Sequence, residues 1–354
     1  MALQNKKKID LIIDSLDLGG AERVCVNFAN ILASNGHEVR ILFFRKSESN
    51  YISKIDKRCR TLFVESSNAR TFLSNINKRE TSLSEIVIAF NHQLAILIKI
   101  YSFFNRRKIK VISRNVNYLS KDLKKGSFSF KKLLTILLVN LFYKKMDFYI
   151  SQCQSMKIDM VRNYGIEESK IDVLYNPVSE SIFPLGLEKD IDILYVGRLE
   201  EQKGIRQLCN ILSEIIYKKP NVTIKIIGKG SQAFHVHSLV NKFKKNVTHL
   251  ESTTEINIYY NRSRVTILTS WYEGFPNVLA ESLRAGTPVV SFDCDSGPSE
   301  IITHGLNGYL VPLGSHRLFI QSVESVLEQK LVGPITYQLD RNIQGRLFDL
   351  IDNI

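Results

Sequence analysis

Residues 265–290 have the sequence VTILTSWYEGFPNVLAESLRAGTPVV. The apolar, β-branched run at its start predicts a strand, and the run at its end predicts a second strand. Between them, Gly274 permits a tight turn, and Pro276 suits the first position of a helix because its φ is already fixed near the helical value. The stretch therefore predicts one parallel β-α-β unit, which is the building block of an α/β fold.

The same stretch predicts an anion site flanked by two carboxylates. Backbone N–H groups at the start of the helix, near Phe275, Pro276, Asn277 and Val278, favour an anion such as a diphosphate. Glu273 lies on the loop before the helix, and Glu281 lies about 7.5 Å further along the helix axis. Two carboxylates too far apart to share a proton are suited to binding different hydroxyl groups of one long polar ligand.

This stretch resembles the paired-glutamate signature of the family 4 retaining glycosyltransferases. The resemblance rests on two glutamates eight residues apart that enclose Gly-Phe-Pro-Asn-Val-Leu-Ala and are followed by Arg-Ala-Gly-Thr-Pro-Val-Val. It implies the GT-B fold, in which two Rossmann-like α/β domains face each other across a cleft. It also implies sugar-nucleotide donors, with Glu281 on the ribose hydroxyls and Glu273 on the sugar hydroxyls.

A second loop carries positive charge. Gly197-Arg198-Leu199-Glu200-Glu201-Gln202-Lys203-Gly204 follows the predicted strand Ile191–Val196, and α/β folds bind ligands at the carboxyl ends of their strands. It resembles the Gly-Arg…Lys-Gly loop of the same family, which implies that Arg198 and Lys203 neutralise the donor diphosphate. We expect them to stabilise the leaving group in place of a metal, so we name Arg198, Lys203 and Glu273 as catalytic, and Gly197 as donor-binding.

Three further candidates lie in the first half of the chain. Gly20 belongs to a Gly-Gly pair that opens the first predicted helix and resembles a donor-facing segment of the family. His92 and Arg114 follow the predicted strands Ile86–Phe90 and Ile109–Ser113, where the family places contacts to sugars. We expect donor binding at Gly20, and acceptor or sugar contacts at His92 and Arg114.

Alternating strands and helices predict two domains with a linker near the turn signal Asn176-Pro177. We place an N-terminal acceptor-side Rossmann-like domain at residues 1–178 and the linker at 179–189. A C-terminal sugar-nucleotide-binding domain follows at 190–330. The tail 331–354 is expected to be helical near its end, and the family resemblance implies that it crosses back to the first domain.

The net charge of +13 is concentrated in one segment. Between Arg106 and Lys145 the chain has twelve Lys or Arg and one acid, Asp122, which gives +11. The segment contains the apolar run Leu133–Tyr143 between basic pairs, too short to span a bilayer but suited to its interface. We expect it to bind an anionic membrane surface; the other interpretation is a core helix with solvated basic ends. No nucleic-acid motif accompanies the charge, so nucleic acid is not an expected partner.

Other chemistry is not indicated by the sequence. The five cysteines form no C-x-x-C pair and suggest buried thiols. Two Asp-x-Asp pairs, Asp190–Asp192 and Asp293–Asp295, are interpreted as structural, so no metal is expected. No resident cofactor is expected either, and UDP-sugars are favoured over GDP-sugars as donors. The N-terminus has no signal-peptide pattern, and no apolar run reaches the length of a membrane span.

The sequence therefore predicts a retaining, metal-independent hexosyltransferase on the cytoplasmic face of the plasma membrane. We expect it to move a hexose or N-acetylhexosamine onto a lipid-linked oligosaccharide or lipopolysaccharide, in the assembly of a bacterial surface polysaccharide. Two alternatives remain open. One is a sugar-nucleotide epimerase of the same fold, which acts without an acceptor, and the other is a non-catalytic scaffold that binds sugar nucleotide.

Overall fold

The computed structural model describes residues 6–17, 19–46, 51–78, 82–124, 130–329, 331 and 343–354. The chain divides into two compact units. The first contains the residues up to Pro177 and the C-terminal segment from 343, and the second begins at Val178. Residues 179–189 belong to the second unit: the backbone N–H of Leu185 donates to Asn261 Oδ1 at 2.6 Å.

In the described residues, the first unit has a parallel sheet of seven strands in the order β3-β2-β1-β4-β5-β6-β7. The direction of the order reverses between β1 and β4, which is where open α/β sheets bind ligands. The strands are β1 (Lys8–Ile12), β2 (Glu38–Phe43), β3 (Arg60–Phe63), β4 (Ile86–Ala89), β5 (Lys110–Arg114), β6 (Phe148–Ser151) and β7 (Ile171–Val173).

Helices cover the sheet of the first unit, as parallel strands require. They pack on it through two clusters of buried apolar side chains. The helices that precede the second unit are α1 (Gly20–Ser34), α2 (Ala69–Lys78), α3 (His92–Phe104), α4 (Leu119–Lys124), α5 (Phe130–Phe142) and α6 (Gln154–Tyr164).

The second unit repeats the architecture. Its described residues form a six-stranded parallel sheet in the order β10-β9-β8-β11-β12-β13, which reverses between β8 and β11. The strands are β8 (Ile191–Val196), β9 (Ile224–Ile227), β10 (Val247–Leu250), β11 (Ser263–Leu268), β12 (Val289–Asp293) and β13 (Gly308–Pro312). The helices are α7 (Ile205–Lys218), α8 (Ala233–Lys242), α9 (Ile256–Arg262), α10 (Asn277–Arg284), α11 (Pro298–Ile301) and α12 (His316–Leu327).

The C-terminal helix α13 (Ile343–Asp352) packs on the first unit. Leu347, Leu350 and Ile351 are buried in the same apolar cluster as the first strand, and Lys7 Nζ donates to the carbonyl of Ile351 at 2.6 Å. Most of the predicted tail before this helix, residues 332–342, lies outside the described residues.

Two parallel-sheet α/β units define the GT-B fold class that the sequence predicts. Sequence reasoning missed α2, whose apolar positions Phe72, Leu73 and Ile76 recur at helical spacing and are buried. Asn68 begins this helix, since its Oδ1 accepts from the N–H groups of Arg70 and Thr71. No helix in the described ranges is long and apolar enough to cross a membrane.

Candidate active site

The two charged loops predicted from sequence meet at one edge of the second sheet. One loop leaves β8 and carries Arg198 and Lys203, and the other leaves β11 and carries Glu273. Because β8 and β11 are adjacent parallel strands, both loops leave the sheet at the same edge, at its point of reversal.

Lys203 and Glu273 form a nearly buried ion pair. Lys203 Nζ donates to Glu273 Oε1 at 2.6 Å, and the two side chains are 13% and 5% exposed. The same carboxylate oxygen accepts from Ser270 Oγ at 2.5 Å. The carboxylate is therefore compensated by one charge and one hydroxyl, which a buried charge requires.

Two hydrogen bonds to backbone carbonyls hold the two loops together. The N–H of Trp271 donates to the carbonyl of Gln202 at 2.9 Å, and Gln202 Nε2 donates to the carbonyl of Tyr272 at 2.9 Å. Gln202 lies directly before Lys203, and Tyr272 directly before Glu273. These two bonds therefore fix the register at which the lysine and the glutamate face each other.

Two glycines permit the close approach of the loops. Gly204 has φ +66°, and a Cβ there would lie 2.2 Å from the carbonyl oxygen of Thr269. Gly228, which follows β9, has φ +153°, and its Cβ would lie 1.8 Å from the carbonyl oxygen of Gly197. Both contacts are with backbone atoms, which cannot rotate away as a side chain can. Any other residue at these positions would separate the strands at their carboxyl ends.

Arg198 is exposed. Its Nη2 donates to Gln202 Oε1 at 3.3 Å, which leaves most of the guanidinium donors for a ligand. Its guanidinium and the Lys203 ammonium are the two cationic groups of this loop, and such groups suit an anionic ligand.

Glu281 lies in α10, as expected, but with a partner that sequence reasoning did not find. Its Oε2 accepts from the hydroxyl of Tyr260 at 2.9 Å, and its side chain is nearly buried. Tyr260 comes from α9, on the preceding connection of the sheet. Tyr260 lies 21 positions before Glu281, and nothing in the sequence near either residue indicates this contact.

The start of α10 differs from the expectation in two details. Pro276 is the residue before the helix, with ψ +83°, so the helix begins at Asn277 and not at the proline. The N–H of Asn277 donates to the carbonyl of Phe275 at 2.9 Å, so this amide is engaged within the turn. Phe275 is buried, while Asn277 and Val278 are partly exposed.

The remaining candidates lie in the first unit. Gly20 is exposed and is the first residue of α1, and His92 is the first residue of α3. The ring of His92 contacts Tyr143 with centroids 6.4 Å apart, and burial lowers the pKa of His92 to about 4. At neutral pH this imidazole is therefore uncharged. The predicted roles of Gly20 and His92 stay predictions.

Arg114 is fully buried in this structure. Its guanidinium lies over the rings of Phe28 and Phe90, at 5.6 and 5.2 Å from their centroids, and Nη2 donates to Asn176 Oδ1 at 2.5 Å. Nε and Nη1 have no hydrogen-bond partner among the described residues, and burial lowers the pKa of Arg114 to about 10. Its contact with a sugar stays a prediction.

Asn176 joins Arg114 to a buried polar network at this edge of the first sheet. Asn176 Nδ2 donates to Gln152 Oε1 at 2.8 Å, and Gln152 Nε2 donates to the carbonyl of Asn115 at 2.5 Å. The hydroxyl of Tyr143 donates to Asn115 Oδ1 at 2.8 Å. The network joins the ends of β5, β6 and β7, and it could not be predicted from the sequence because its members are far apart in the chain.

The first Asp-x-Asp pair has protein partners. Arg262 forms a bidentate contact with Asp190, and Arg264 Nη1 donates to Asp192 Oδ1 at 2.9 Å. In the second pair, the carbonyl of Asp295 accepts from the N–H of Glu273 at 3.1 Å. Burial and the neighbouring Asp295 raise the pKa of Asp293. The described part of the chain contains no group of three or more His, Cys, Asp or Glu placed to hold a metal ion.

Two parallel-sheet α/β units, with Arg198, Lys203 and Glu273 on loops at the carboxyl edge of the second sheet, have the architecture of a GT-B glycosyltransferase. Two family models match the chain: "Glycosyltransferase Family 4" over residues 18–181 and "Glycosyl transferases group 1" over residues 178–344. The two matches together extend from residue 18 to residue 344. The chain belongs to the family 4 glycosyltransferases.

Named relatives agree with this assignment. The chain is 26% identical over 368 residues to a Campylobacter jejuni N-acetylgalactosamine-N,N'-diacetylbacillosaminyl-diphospho-undecaprenol 4-alpha-N-acetylgalactosaminyltransferase, covering 98% of this chain and 96% of the relative. It is 29% identical over 227 residues to an Escherichia coli lipopolysaccharide 1,6-galactosyltransferase, covering 59% and 61%. Anabaena HepE, solved in complex with UDP-glucose, has a TM-score of 0.75 at 17% identity, covering 98% and 100%. That last similarity concerns the fold alone.

Proposed function

We propose that the protein is a retaining, metal-independent glycosyltransferase that uses a UDP-sugar and a lipid-linked glycan acceptor. The observation that carries this proposal is the Lys203–Glu273 ion pair, with Arg198 on the same loop as Lys203, at the point where the strand order of the second unit reverses. Glu281 lies in α10, the helix that follows the Glu273 loop. The sugar transferred is a hexose or an N-acetylhexosamine, and the acceptor is a lipid-linked oligosaccharide or lipopolysaccharide.

The proposed donor pose assigns one task to each charged group. The Lys203 ammonium has three donors, of which one binds Glu273. The other two are available to phosphate oxygens, and Arg198 supplies a planar fork for the same group. Glu281, held by Tyr260, accepts from the ribose hydroxyls. Glu273 accepts from sugar hydroxyls with its second oxygen.

We infer the reaction from this charge arrangement and from the resemblance to the retaining glycosyltransferases of family 4. As the bond to the anomeric carbon breaks, negative charge grows on the leaving diphosphate, and two fixed cations stabilise it more in the transition state than in the ground state. Glu273 is already bound to Lys203 and Ser270, so we assign it to positioning and not to nucleophilic attack. The acceptor hydroxyl then attacks from the face that the diphosphate leaves and gives its proton to the departing phosphate, which retains the configuration.

Names of the relatives support the choice of substrates. One relative is named for transfer to a diphospho-undecaprenol glycan and another for transfer to lipopolysaccharide, and the HepE structure contains UDP-glucose. For this chain we take UDP as the nucleotide. Calorimetric titration of the wild type and Glu281→Ala with UDP and GDP tests the donor assignment. Tighter binding of UDP that weakens in the variant supports it, and equal binding by both proteins refutes it.

We further propose that the first unit docks on an anionic membrane through the α3–α5 apolar surface. This surface consists of six side chains that are 36–74% exposed: Phe103, Phe104, Leu133, Ile136, Leu137 and Leu141. The four on α5 share one face by their spacing of three and four. His92, at the start of α3, contacts Tyr143, just after α5, and the two helices pack on each other. We infer that their exposed apolar side chains form one surface.

Exposed basic residues border this surface. Arg106, Arg107 and Lys108 follow α3, and Lys144 and Lys145 follow α5. Side chains 122–132 lie outside those described, so their share of the predicted basic segment is not placed. An apolar face with basic ends matches a bilayer interface of anionic lipids, where each Lys or Arg near the surface contributes about 1 kcal/mol. This docking would keep the enzyme on the cytoplasmic face of the plasma membrane, beside a lipid-linked acceptor.

A further inference from the structure

A pocket lies in the second unit, at the starts of α7, α8 and α12. It has a volume of about 530 Å³, within the range typical of small-molecule sites. Its lining includes Trp271, Asn210, His235 and His316, and none of the four charged donor-site residues. Its lining also includes Gly204, the residue after Lys203, so the pocket adjoins the loop that carries Lys203.

Trp271 is the aromatic wall of this pocket. It is the single tryptophan of the chain, and 44% of it is exposed. Its backbone N–H is bound to the carbonyl of Gln202, so the indole is presented from a fixed backbone. A partly exposed indole offers a flat face for the C–H groups of a ring and an N–H for a hydroxyl.

The hydrogen-bonding groups of the pocket include amides and imidazoles. Gln207 Nε2 donates to the carbonyl of Thr269, which turns Gln207 Oε1 towards His316 Nε2 at 3.3 Å. Because that oxygen can only accept, His316 Nε2 carries the hydrogen, and its Nδ1 is an acceptor when the ring is neutral. Asn210 and Gln232 each offer both donor and acceptor atoms.

The charges of the pocket cancel. Arg206 and Glu201 both line it and are both exposed, so its formal charge is zero with neutral imidazoles. A neutral pocket with one aromatic face and several amides suits a ligand whose hydroxyls both donate and accept. Such a ligand is a sugar ring, whereas a second phosphate would favour an excess of cations.

We propose that this pocket binds one sugar unit of the acceptor glycan, outside the donor site. The inference rests on the proposed function for the identity of the glycan, but sugar binding itself does not depend on transfer. Stacking on Trp271 and hydrogen bonds to Asn210 and His316 hold the ring. An acceptor bound there is anchored near the edge of the sheet at which the donor reacts.

The single tryptophan makes the test direct. Intrinsic fluorescence is titrated with the methyl α-glycosides of galactose, glucose and N-acetylgalactosamine and with inorganic phosphate, each in saturating UDP to fill the donor site. At least one glycoside should change the emission in the millimolar range. Asn210→Ala should weaken its binding about two- to tenfold, the loss of one hydrogen bond, while Asn241→Ala, an exposed asparagine of α8, should not.

The outcomes show whether the sugar binds in the pocket or in the donor site. Binding that survives Asn210→Ala and His316→Ala but is lost in Glu281→Ala places the sugar in the donor site and overturns the proposal. A response to phosphate and to no glycoside overturns it too, because the pocket is then an anion site. Failure of the proposed function would show separately, as absence of UDP binding in calorimetry, and would leave the glycoside titration valid in UDP-free buffer.

Discussion

Lys203 Nζ and Glu273 Oε1 lie 2.6 Å apart although 70 positions separate them in the chain. Both side chains are almost excluded from solvent. In such an ion pair the charge of the lysine and the charge of the glutamate compensate each other. The pair also holds both side chains in one geometry before any ligand binds. In the proposed mechanism it orients the ammonium that stabilises the leaving diphosphate.

The pair predicts separate effects on stability and on catalysis. Lys203→Met should destabilise the second unit by about 3 kcal/mol, because it leaves a buried carboxylate without its partner. The same change should lower kcat/KM about 10- to 100-fold through the loss of one charge-assisted hydrogen bond. Urea unfolding and steady-state kinetics measure the two effects.

The double variant Lys203→Met/Glu273→Gln is the matched control. Removing both charges should restore much of the stability but none of the activity. If the double variant regains activity together with stability, the lysine has no role beyond folding.

Glu281 predicts a binding effect. Glu281→Ala should weaken UDP binding about 10- to 100-fold, since a carboxylate that accepts from ribose hydroxyls is lost. Tyr260→Phe removes the hydroxyl that holds this carboxylate and should weaken binding less, by about two- to tenfold. Calorimetry measures the UDP affinity of both variants. An unchanged affinity in Glu281→Ala would show that Glu281 does not bind the donor.

Metal removal should leave the activity intact. Arg198 and Lys203 are placed to stabilise the diphosphate charge that a divalent metal stabilises in other enzymes. We expect the same transfer rate in excess EDTA as in buffer with Mg²⁺. A loss of activity in EDTA that Mg²⁺ or Mn²⁺ restores would show that the two cations do not suffice.

Docking on the membrane should depend on both charge and apolar contact. The wild type should sediment with vesicles of anionic lipid at low salt, and less so as salt screens the basic residues. Leu137→Ser/Leu141→Ser should reduce sedimentation strongly, because both exposed side chains lie on α5. Leu318→Ser, on an exposed leucine of α12, is the control. If the wild type and both variants sediment equally, the α3–α5 apolar surface does not bind the membrane.

The first unit contains a buried ion pair that should control its stability. Asp10 is fully buried in β1 and accepts from Arg40 Nε and Nη2, each at 2.7 Å, and from the N–H of Ser84 at 2.7 Å. Asp10→Ala should lower the free energy of unfolding by about 3 kcal/mol. Asp56→Asn, in the exposed pair with Arg58, should have a much smaller effect in the same urea titration.

The order of strands and helices could be predicted from sequence because each apolar run is bounded by turn residues. Around Glu273 the pattern predicted a strand at 265–270, the loop and the helix that carries Glu281. The strand is Ser263–Leu268, and the helix begins at Asn277 and not at Pro276. The α2 helix was missed although its apolar spacing is helical. It is short and largely polar, so its burial depends on the sheet it covers.

Contacts between distant residues could not be predicted in the same way. The partners of Glu273 and Glu281 come from other connections of the sheet, and no local pattern marks Lys203 or Tyr260 as the residue that will face them. Arg114 shows the same limit. Its place at the end of a strand suggested a sugar contact, which stays a prediction, but the sequence did not indicate its packing over Phe28 and Phe90.

The transfer reaction tests the central claim most directly. Purified protein is incubated with UDP-galactose, UDP-glucose, UDP-N-acetylgalactosamine and UDP-N-acetylglucosamine in turn, with and without membrane lipid extract, and all products are separated by chromatography and identified by mass and NMR. The account predicts that a lipid-linked glycan gains the mass of one sugar from at least one donor, with α-configuration retained, and that no product forms without the extract. Conversion of a UDP-sugar to its isomer without acceptor would identify an epimerase, and UDP binding without any product would identify a scaffold; either result contradicts the account.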